Sequence, residues 1–461
     1  MQKSSKEQLR SILEPRSVAV IGASSKSGKI GHEILKNVVE GGYAGPIYPV
    51  NPHEEFILAL NSFKSIMDVP DDVDACIITV PPHLVAQVLD ECGKKKVRGA
   101  VIISAGFSEI GNFDLERLIV EIASKSELRI VGPNCAGIIN TQKKLYATME
   151  SRIGPGNIAF MTQSGALGGA ALAWARQERI GISKFISYGN RCDIDEADIL
   201  EYLVEDDQTK VIAAYIEGLR NGRRFLDSAK DATKKKPVVA IKSGTSSEGS
   251  RAALSHTGSL SGSDRVYDGA FLQTGIIRAE EIDDLFDMSE ALSCQPASRG
   301  KRIAVLTNSG GPSVMMTDAL VKLNLEVPEP STQMKDALTF LPEICSRKNP
   351  IDLTAEATPE QYGKVLETIA ESNEYDIAIS MFVPPAFVKS EETGRAVAEV
   401  ASDMSKPIVA CWMSGDLVAE AVQILEGRHV PNFPTPRRTA KAVWALVERG
   451  TYLSKSRSDL S

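Results

Sequence analysis

Short apolar runs rich in β-branched residues alternate with amphipathic stretches along almost the whole chain. Segments with helical periodicity, such as GHEILKNVVEGG, separate the first five of these runs, which are SVAVIGA (17–23), AGPIYPVNP (44–52), DACIITVPP (74–82), GAVIISAG (99–106) and RIVGPNC (129–135). Strands that alternate with helices at this spacing predict a parallel sheet with both faces covered. We therefore expect a doubly wound, Rossmann-like α/β domain over residues 1–140, followed by a polar connecting passage, TQKKLYATMESRIGPGN.

The remaining two thirds of the chain contain an internal repeat. Four segments recur in the same order: NIAFMTQSGALGG (157–169) with RIAVLTNSGGPSV (302–314), GNRCDID (189–195) with KNPIDL (348–353), VIAAYIEG (211–218) with DIAISMFVPP (376–385), and KKPVVAIKSG (235–244) with SKPIVACWMSG (405–415). A repeat of this length indicates a duplicated supersecondary unit. We expect two homologous α/β domains, over residues 150–295 and 300–455.

The two copies differ in one loop. Gly244 and Gly275 are 31 positions apart, whereas Gly415 and Gly427 in the second copy are 12 apart, so the first copy holds about 19 more residues. They lie in GTSSEGSRAALSHTGSLSGSD and include His256, one of five histidines in the chain. A long polar insertion on a compact scaffold is usually either functional or disordered, and glycines at this density permit the backbone changes of a moving loop.

The insertion suggests phosphorus chemistry at His256. A neutral imidazole, with a pKa near ~6.5, is a competent nucleophile toward phosphorus, and it needs a partner on its other nitrogen to fix the tautomer. Glu217, at the end of VIAAYIEG, is the best candidate for that partner, because its sheet edge is expected beside the loop and the other copy has proline at the matching position. An incidental loop histidine is the alternative interpretation.

The first strand runs into a turn rich in Gly, Ser and Lys, GASSKSGKIG (22–31). Five residues rather than four separate Gly22 from Gly28, and isoleucine follows Lys29, so the turn is not a Walker A loop. The second glycine of the dinucleotide fingerprint is also replaced, and the next strand ends in Val50-Asn51-Pro52 without an acidic residue for a ribose diol. The turn still offers amides, a helix N-terminus and cations to a nucleotide-like polyphosphate. A purely structural turn is the alternative.

Further candidate ligand contacts lie at the carboxyl ends of other strands. TVPP (79–82), SAGFSE (104–109) and GPNCAG (132–137) follow strands of the first sheet, where ligands of open parallel sheets bind, and Phe107 is a candidate to pack against an adenine or a pantetheine arm. TQSGALGG (162–169) is a helix start whose small residues leave amides accessible to an anion. Ser164 as an ordinary N-cap, and the other loops as mere stabilisers, are the alternatives.

Bulk properties exclude several classes of protein. Apolar content of 43% and charged content of 24% are those of a globular protein, and the formal net charge of −8 argues against a nucleic-acid scaffold. The chain has no apolar run of the roughly 18 residues that span a bilayer, and its polar start does not resemble a signal peptide. Seven cysteines without paired spacing and five scattered histidines predict a reduced, cytoplasmic protein without a metal site of its own.

Together, the motifs resemble those of the ADP-forming acyl-CoA (acetyl-CoA) synthetases of the succinyl-CoA synthetase superfamily. The resemblance covers essentially the whole chain and is carried by GASSKSGKIGHEILKN, YPVNP, ITVPP, AGFSE, GPNCAG, TQSGALGG, YIEG and SHTGSLSG. It implies a Rossmann-like CoA-binding domain (1–140) and two flavodoxin-like domains. Of these, residues 150–295 would carry the phosphohistidine and residues 300–455 would contact a partner subunit.

The resemblance also implies site residues. His256 would carry the phosphoryl group and Glu217 would stabilise it. Phosphate would be bound by Ser164, Gly165, Ala166, Thr257 and Gly258. CoA would be contacted by Gly22, Ser24, Lys26, Lys29, Gly31, Asn51, Val80, Pro81, Ser104, Ala105, Gly106, Phe107 and Asn134.

The implied activity is that of an acid–thiol ligase subunit. It would interconvert acyl-CoA, ADP and phosphate with carboxylate, ATP and CoA, through an acyl phosphate and a phosphohistidine. The three α/β units account for nearly all 461 residues, so an ATP-grasp β subunit that holds ADP or ATP with Mg²⁺ is expected, in an α2β2 heterotetramer. The alternatives are an NAD-dependent dehydrogenase, suggested by the first sheet alone, and a non-catalytic CoA-binding regulatory subunit or the synthetase-like part of a protein acetyltransferase assembly.

Overall fold

A computed structural model describes residues 5–251, 263–385 and 390–458 of the chain. The chain divides between Glu280 and Glu281 into two compact units. In the described residues no helix is both long and apolar enough to span a membrane. The boundaries near residues 140–150 and 295–300 that the sequence suggests for three domains stay predictions.

The first unit begins with a five-stranded parallel sheet of order β2-β1-β5-β6-β7. All five apolar runs of the N-terminal region form its strands, which confirms the predicted doubly wound fold. The strand order reverses between β1 and β5, so a crevice opens at the carboxyl ends of these two strands. The strands are β1 (Val18–Ile21), β2 (Ile47–Val50), β5 (Ala75–Ile78), β6 (Gly99–Ile102) and β7 (Arg129–Val131), with a small hairpin of β3 (Phe56–Ile57) and β4 (Leu60–Asn61); the helices are α1 (Ser5–Leu13), α2 (Ile30–Gly41), α3 (Pro82–Lys94) and α4 (Phe113–Lys125).

The same unit contains a seven-stranded sheet of order β14-β13-β12-β10-β11-β8-β9. Its strands are β8 (Gly137–Asn140), β9 (Leu145–Thr148), β10 (Pro155–Thr162), β11 (Ile182–Ser187), β12 (Val211–Ile216), β13 (Val238–Lys242) and β14 (Ile277–Ala279); its helices include α5 (Gly165–Gln177), α6 (Glu196–Leu203), α7 (Gly222–Lys235) and α8 (Asp264–Thr274). The passage predicted as a polar connection is partly wrong, because all four residues of β9 are buried and pair antiparallel with β8. Leu145 and Ala147 pack into the core, and this burial fixes the segment as a strand.

The second unit holds a four-stranded parallel sheet of order β16-β15-β17-β18. Its strands are β15 (Ile303–Thr307), β16 (Ile351–Asp352), β17 (Ile377–Phe382) and β18 (Ile408–Trp412). A buried apolar cluster that includes Trp412 fills the space between this sheet and its helices. The helices are α9 (Ile282–Cys294), α10 (Gly310–Lys322), α11 (Thr332–Ala337), α12 (Pro359–Glu371), α13 (Ser390–Asp403), α14 (Ala419–Glu426) and α15 (Pro436–Ser458).

The strand order confirms the internal repeat. The run β11-β10-β12-β13 in the first unit corresponds to β16-β15-β17-β18 in the second, and every pair in both runs is parallel. The register corrects two details of the sequence comparison. Thr162 pairs with Ser187 and Thr307 pairs with Asp352, so β16 has the position of β11 and KNPIDL is not the equivalent of GNRCDID, which follows β11. Met161 pairs with Ala214 and the equivalent Leu306 pairs with Ser380. Counting three residues on, Val383 rather than a proline is the equivalent of Glu217 in the second copy. Neither residue type carries a carboxylate, so the contrast between the copies stands.

Close packing at Gly31 yields a testable prediction. A methyl group added to Gly31 would lie 2.0 Å from the carbonyl oxygen of Gly22 and 3.0 Å from Thr79 Oγ1, so α2 approaches the turn after β1 too closely for any side chain. We expect Gly31→Ala to lower the free energy of unfolding by about 1–3 kcal/mol, the usual cost of overpacking, as measured by urea denaturation. Gly222→Ala, which meets open space, is the matched control. Equal stability of the two variants would contradict the close packing.

Candidate functional site

A cavity of about 800 Å³ lies in the first unit, between the carboxyl ends of strands from its two large sheets. Both sheets contribute the ends of strands next to a reversal in strand order, which is where open α/β sheets bind ligands. Residues from both of the predicted ligand groups line this one cavity: Ser104, Ala105 and Asn134 from the CoA group, Ser164, Gly165 and Ala166 from the phosphate group, and Glu217.

The start of α5 provides donors to the cavity. The Ser164 hydroxyl accepts a hydrogen bond from the amide of Leu167 at 3.3 Å, so Ser164 is indeed the N-cap. The structure gives the amides of Gly165 and Ala166 no acceptor among the described residues, as expected for the first turn of a helix. The two interpretations of this segment are therefore compatible, since Ser164 caps the helix and the next two amides are available to an anion.

Glu217 is held at its backbone by a residue that the sequence analysis missed. Gln163 Oε1 accepts hydrogen bonds from the amides of Glu217 and Gly218 at 2.5 and 3.0 Å, and its Nε2 donates to the Gly218 carbonyl at 2.7 Å. Gln163 is 5% exposed. A buried amide with both ends satisfied fixes the strand end, and with it the backbone from which the Glu217 side chain extends.

The second unit repeats this amide clamp. Asn308 donates to the Val383 carbonyl and accepts from its amide, both at 2.9 Å. The signal was present in the sequence, because TQS and TNS follow equivalent strands in the two copies. The clamp is therefore a property of the repeated fold, whereas the carboxylate of Glu217 belongs to the first copy alone.

The start of the insertion lies next to Glu217 in the sheet. The strands β12 and β13 are neighbours, and the amide of Ser243 donates to the carbonyl of Ile216 at 3.0 Å. The insertion thus leaves the sheet beside Glu217. The residues His256, Thr257 and Gly258 lie outside the described residues, and their predicted roles stay predictions.

Most of the other residues of the predicted CoA group surround the turn after β1. Ile30 and Thr79, which lie in the predicted segments 22–31 and 79–82 without being named as site residues, bring this region to the cavity wall. Lys26 and Lys29 are exposed. Ser104 Oγ donates to the Val80 carbonyl at 2.6 Å and so links two of the predicted loops. The predicted residues that do not line the cavity are Gly22, Ser24, Lys26, Lys29, Gly31, Asn51, Val80, Pro81, Gly106 and Phe107.

Phe107 packs differently from the sequence interpretation. The residue is 0% exposed, and its side chain belongs to the apolar core of the first sheet. A ring enclosed in this way cannot stack on an adenine or a pantetheine arm. The amide of Phe107 donates to the carboxylate of Glu109 at 3.2 Å.

The amides of the Gly-rich turn are already partly used. Ser25 donates to Glu54 Oε2 at 3.0 Å and Gly28 donates to Glu33 Oε1 at 2.9 Å, so two of the donors expected for a polyphosphate bind carboxylates of the chain. An acidic residue, Glu54, lies three residues past Asn51 and accepts from its side-chain amide at 3.3 Å, so this carboxylate binds the turn itself. The exposed cations Lys26 and Lys29 remain available at this turn.

Asn190 joins the two sheets at the cavity and was also missed. Its Nδ2 donates to Glu109 Oε2 at 2.6 Å, and its Oδ1 accepts from Asn134 Nδ2 at 3.2 Å. Burial alone would raise the pKa of Glu109, but hydrogen bonds from the Gly106 amide and from Asn190 outweigh it, so the pKa is lowered and Glu109 is an anion at neutral pH. The cavity is therefore bridged by fixed polar contacts.

Family comparisons agree with this architecture. The family model of the CoA binding domain matches residues 16–141, that of the succinyl-CoA ligase like flavodoxin domain matches residues 155–292, and that of the Ligase-CoA domain matches residues 303–453. The alpha subunit of acetate–CoA ligase [ADP-forming] II from Pyrococcus furiosus is 43% identical over 444 residues, which are 94% of this chain and 96% of the relative.

Two further relatives extend the comparison. Acetate–CoA ligase [ADP-forming] I of Archaeoglobus fulgidus is 40% identical over 96% of this chain, which corresponds to 64% of that protein. A solved structure from Ca. Korarchaeum cryptofilum, a dinucleotide-forming acetyl-coenzyme A synthetase 1 in complex with phosphate and ADP, is 35% identical, covers 99% of both chains and has a TM-score of 0.93. The chain belongs to the family of ADP-forming acetate–CoA ligase alpha subunits.

Proposed function

We propose that this chain is the CoA-binding, phosphohistidine-bearing subunit of an ADP-forming acetate–CoA ligase. The observation that carries the proposal is a single cavity lined by loops of the predicted CoA group, by the open amides of Gly165 and Ala166, and by Glu217. A thioester, a phosphate and a carboxylate that can support an imidazole would then meet in one place. Phosphoryl transfer requires this kind of positioning and charge stabilisation.

The first step would take place in the cavity. An oxygen of inorganic phosphate attacks the thioester carbonyl carbon of acyl-CoA, the carbon–sulfur bond breaks, and the thiolate takes a proton to leave as CoA. The product is an acyl phosphate. The amides at the start of α5 would hold the phosphate oxygens, because they are unpaired donors at the positive end of a helix dipole.

Two phosphoryl transfers would complete the reaction. A ring nitrogen of His256 attacks phosphorus, the bond from phosphorus to the acyl oxygen breaks, and the carboxylate leaves. Glu217 would hold the imidazole and offset the positive charge of the phosphorylated ring. A β-phosphate oxygen of ADP then takes the phosphoryl group from the histidine, which yields ATP and restores the neutral ring.

The nucleotide would be bound by a second polypeptide. The Pyrococcus furiosus relative is named as an alpha subunit, and this chain spans 64% of the Archaeoglobus fulgidus relative. We assign ADP and its Mg²⁺ to an ATP-grasp β subunit, in an α2β2 heterotetramer. The loop of His256 would carry the phosphoryl group from the cavity to that subunit.

Labelling with phosphate tests the proposed function. The chain, purified with its partner, is incubated with acetyl-CoA and [³²P]phosphate in the absence of ADP. We expect a phosphoprotein on this chain that is acid-labile and base-stable, as phosphohistidine is, and that discharges to ATP when Mg²⁺-ADP is added. CoA binding without any labelling would instead identify a non-catalytic CoA-binding subunit.

A further inference from the structure

The cavity holds one cationic side chain among the described residues that line it, Arg191. Three carboxylates, those of Glu109, Glu150 and Glu217, line the same space. An anionic ligand placed there would be repelled unless a positive group lay close to it, since charges a few ångströms apart interact strongly in a partly buried site. Arg191 therefore has the location that an anion contact requires.

The guanidinium of Arg191 has one ion-pair partner, and most of its N–H donors have no acceptor among the described residues. Its side chain is 15% exposed and forms an ion pair with Glu196 at 3.5 Å, and it makes no hydrogen bond to a described residue. A methyl group built on Gly218 would lie 3.6 Å from Nη2, so the guanidinium lies beside the residue that follows Glu217. Five N–H donors on a planar fork suit a phosphate, and an arginine this enclosed usually has acceptors for them.

The backbone at Arg191 is fixed in an unusual conformation. Its φ is 51°, in the left-handed region that residues with a Cβ seldom adopt. The neighbouring amides of Asn190 and Cys192 donate to the carbonyls of Pro133 and Gly132 at 2.9 and 3.1 Å, which ties the segment to the loop after β7. These hydrogen bonds hold the backbone of Arg191 in its left-handed conformation at the cavity wall.

The sister domain lacks this arginine. Thr162 pairs with Ser187 and Thr307 pairs with Asp352, so the register places Glu356, four residues past Asp352, at the position that Arg191 has past Ser187. The position of Glu217 is occupied there by valine, and the insertion with His256 is missing as well. The guanidinium, the carboxylate and the histidine thus occur together in the first copy and are absent together from the second.

We propose that Arg191 binds the phosphate oxyanion in the cavity, together with the amides of Gly165 and Ala166. The inference rests on the proposed function and adds to it the residue that recognises inorganic phosphate. The bidentate edge of a guanidinium and the two amides of the helix N-terminus together offer four donors to one tetrahedral anion. Arg191 would also offset the charge that develops on phosphorus during transfer.

Steady-state kinetics test the assignment. Initial rates of ATP formation are measured for the chain with its partner at saturating acetyl-CoA and Mg²⁺-ADP while inorganic phosphate is varied. We expect Arg191→Met to raise the KM for phosphate about 10- to 100-fold, the usual effect of losing charged hydrogen bonds, and Arg191→Lys to raise it less. The KM for acetyl-CoA should stay within about twofold, because the CoA loops are untouched.

The controls separate the possible causes. Arg223→Met removes an exposed arginine, whose side chain is 87% exposed, and should leave the phosphate KM unchanged. Arg191→Met also leaves Glu196 buried without its cation, so the double variant Arg191→Met/Glu196→Gln is measured alongside, and it should show the same defect in phosphate binding. An unchanged phosphate KM in all Arg191 variants overturns the inference.

The reverse reaction distinguishes phosphate from carboxylate. With acetate, CoA and ATP as substrates, a raised KM for acetate together with a normal phosphate KM would make Arg191 a carboxylate contact and overturn the assignment to phosphate. Failure of the proposed function looks different: a His256→Ala enzyme that still turns over removes the phosphohistidine itself. If His256→Ala is inactive but the Arg191 variants have a normal KM for phosphate, the proposed function stands and only the role of Arg191 is overturned.

Discussion

His256→Ala should abolish ATP formation, with a loss of at least about 1000-fold, while CoA binding survives. The substitution removes the proposed nucleophile, and the methyl group of alanine cannot take the phosphoryl group from an acyl phosphate. CoA is assigned to the loops around β1, β5 and β6, which are remote in sequence from the insertion, so its affinity should be retained. ATP production with the partner present and a CoA titration measure the two properties separately.

The control removes the imidazole of His429, which is exposed. His429 lies in the second unit, and His429→Asn keeps a side chain that tolerates the left-handed backbone there, with φ 63°. Its activity should equal that of the unmodified chain. Turnover by His256→Ala at the rate of this control would remove the phosphohistidine mechanism.

Glu217→Gln should slow formation of the phosphohistidine about 100-fold without preventing it. The amide keeps the shape of the side chain, and the backbone remains clamped by Gln163, but a neutral group no longer offsets the charge on the imidazole ring or fixes its tautomer as strongly. Rapid quenching after mixing with acetyl-CoA and labelled phosphate gives the rate of labelling directly.

Glu248→Gln is the matched control for this substitution. Glu248 is an exposed carboxylate that forms an ion pair with Arg251 at 3.5 Å, near the start of the same insertion. The same change of charge there should leave the labelling rate as it is. If both variants label at the normal rate, Glu217 has a structural role only, and its position at the cavity does not contribute to the chemistry.

Much of the candidate site was predictable because it follows strands. The segments after β6, β7, β10 and β12 supplied Ser104, Asn134, Ser164 and Glu217, and the carboxyl ends of parallel strands meet at one edge. The residues that were missed act through the folded chain. Gln163 is defined by bonds to a strand about 54 residues away, and Arg191 by a turn that closes on the first sheet. The repeat of TQS as TNS was the one sequence signal for the first contact, and no local pattern marks the second.

Tertiary packing also overruled local interpretation. Phe107 had the residue type of a stacking contact, yet the first sheet buries it completely because a large apolar ring is most stable in the core. The amides after Gly22 had the pattern of a phosphate loop, yet Glu54 and Glu33 reach two of them. The burial of Phe107 and the contact of Ser25 with Glu54 depend on segments distant in the chain, whereas Glu33 reaches Gly28 from the first turn of α2.

The sequence by itself determined the alternation of strands and helices, the duplication and the loop that distinguishes its copies, since each is written in the order and spacing of residues. The strand order, the register that makes Val383 the equivalent of Glu217 in the second copy, and the union of both ligand groups in one cavity were decided by tertiary structure alone. The physical reason is that these features depend on which strands lie side by side. That choice is made by burying the apolar faces of distant segments against each other.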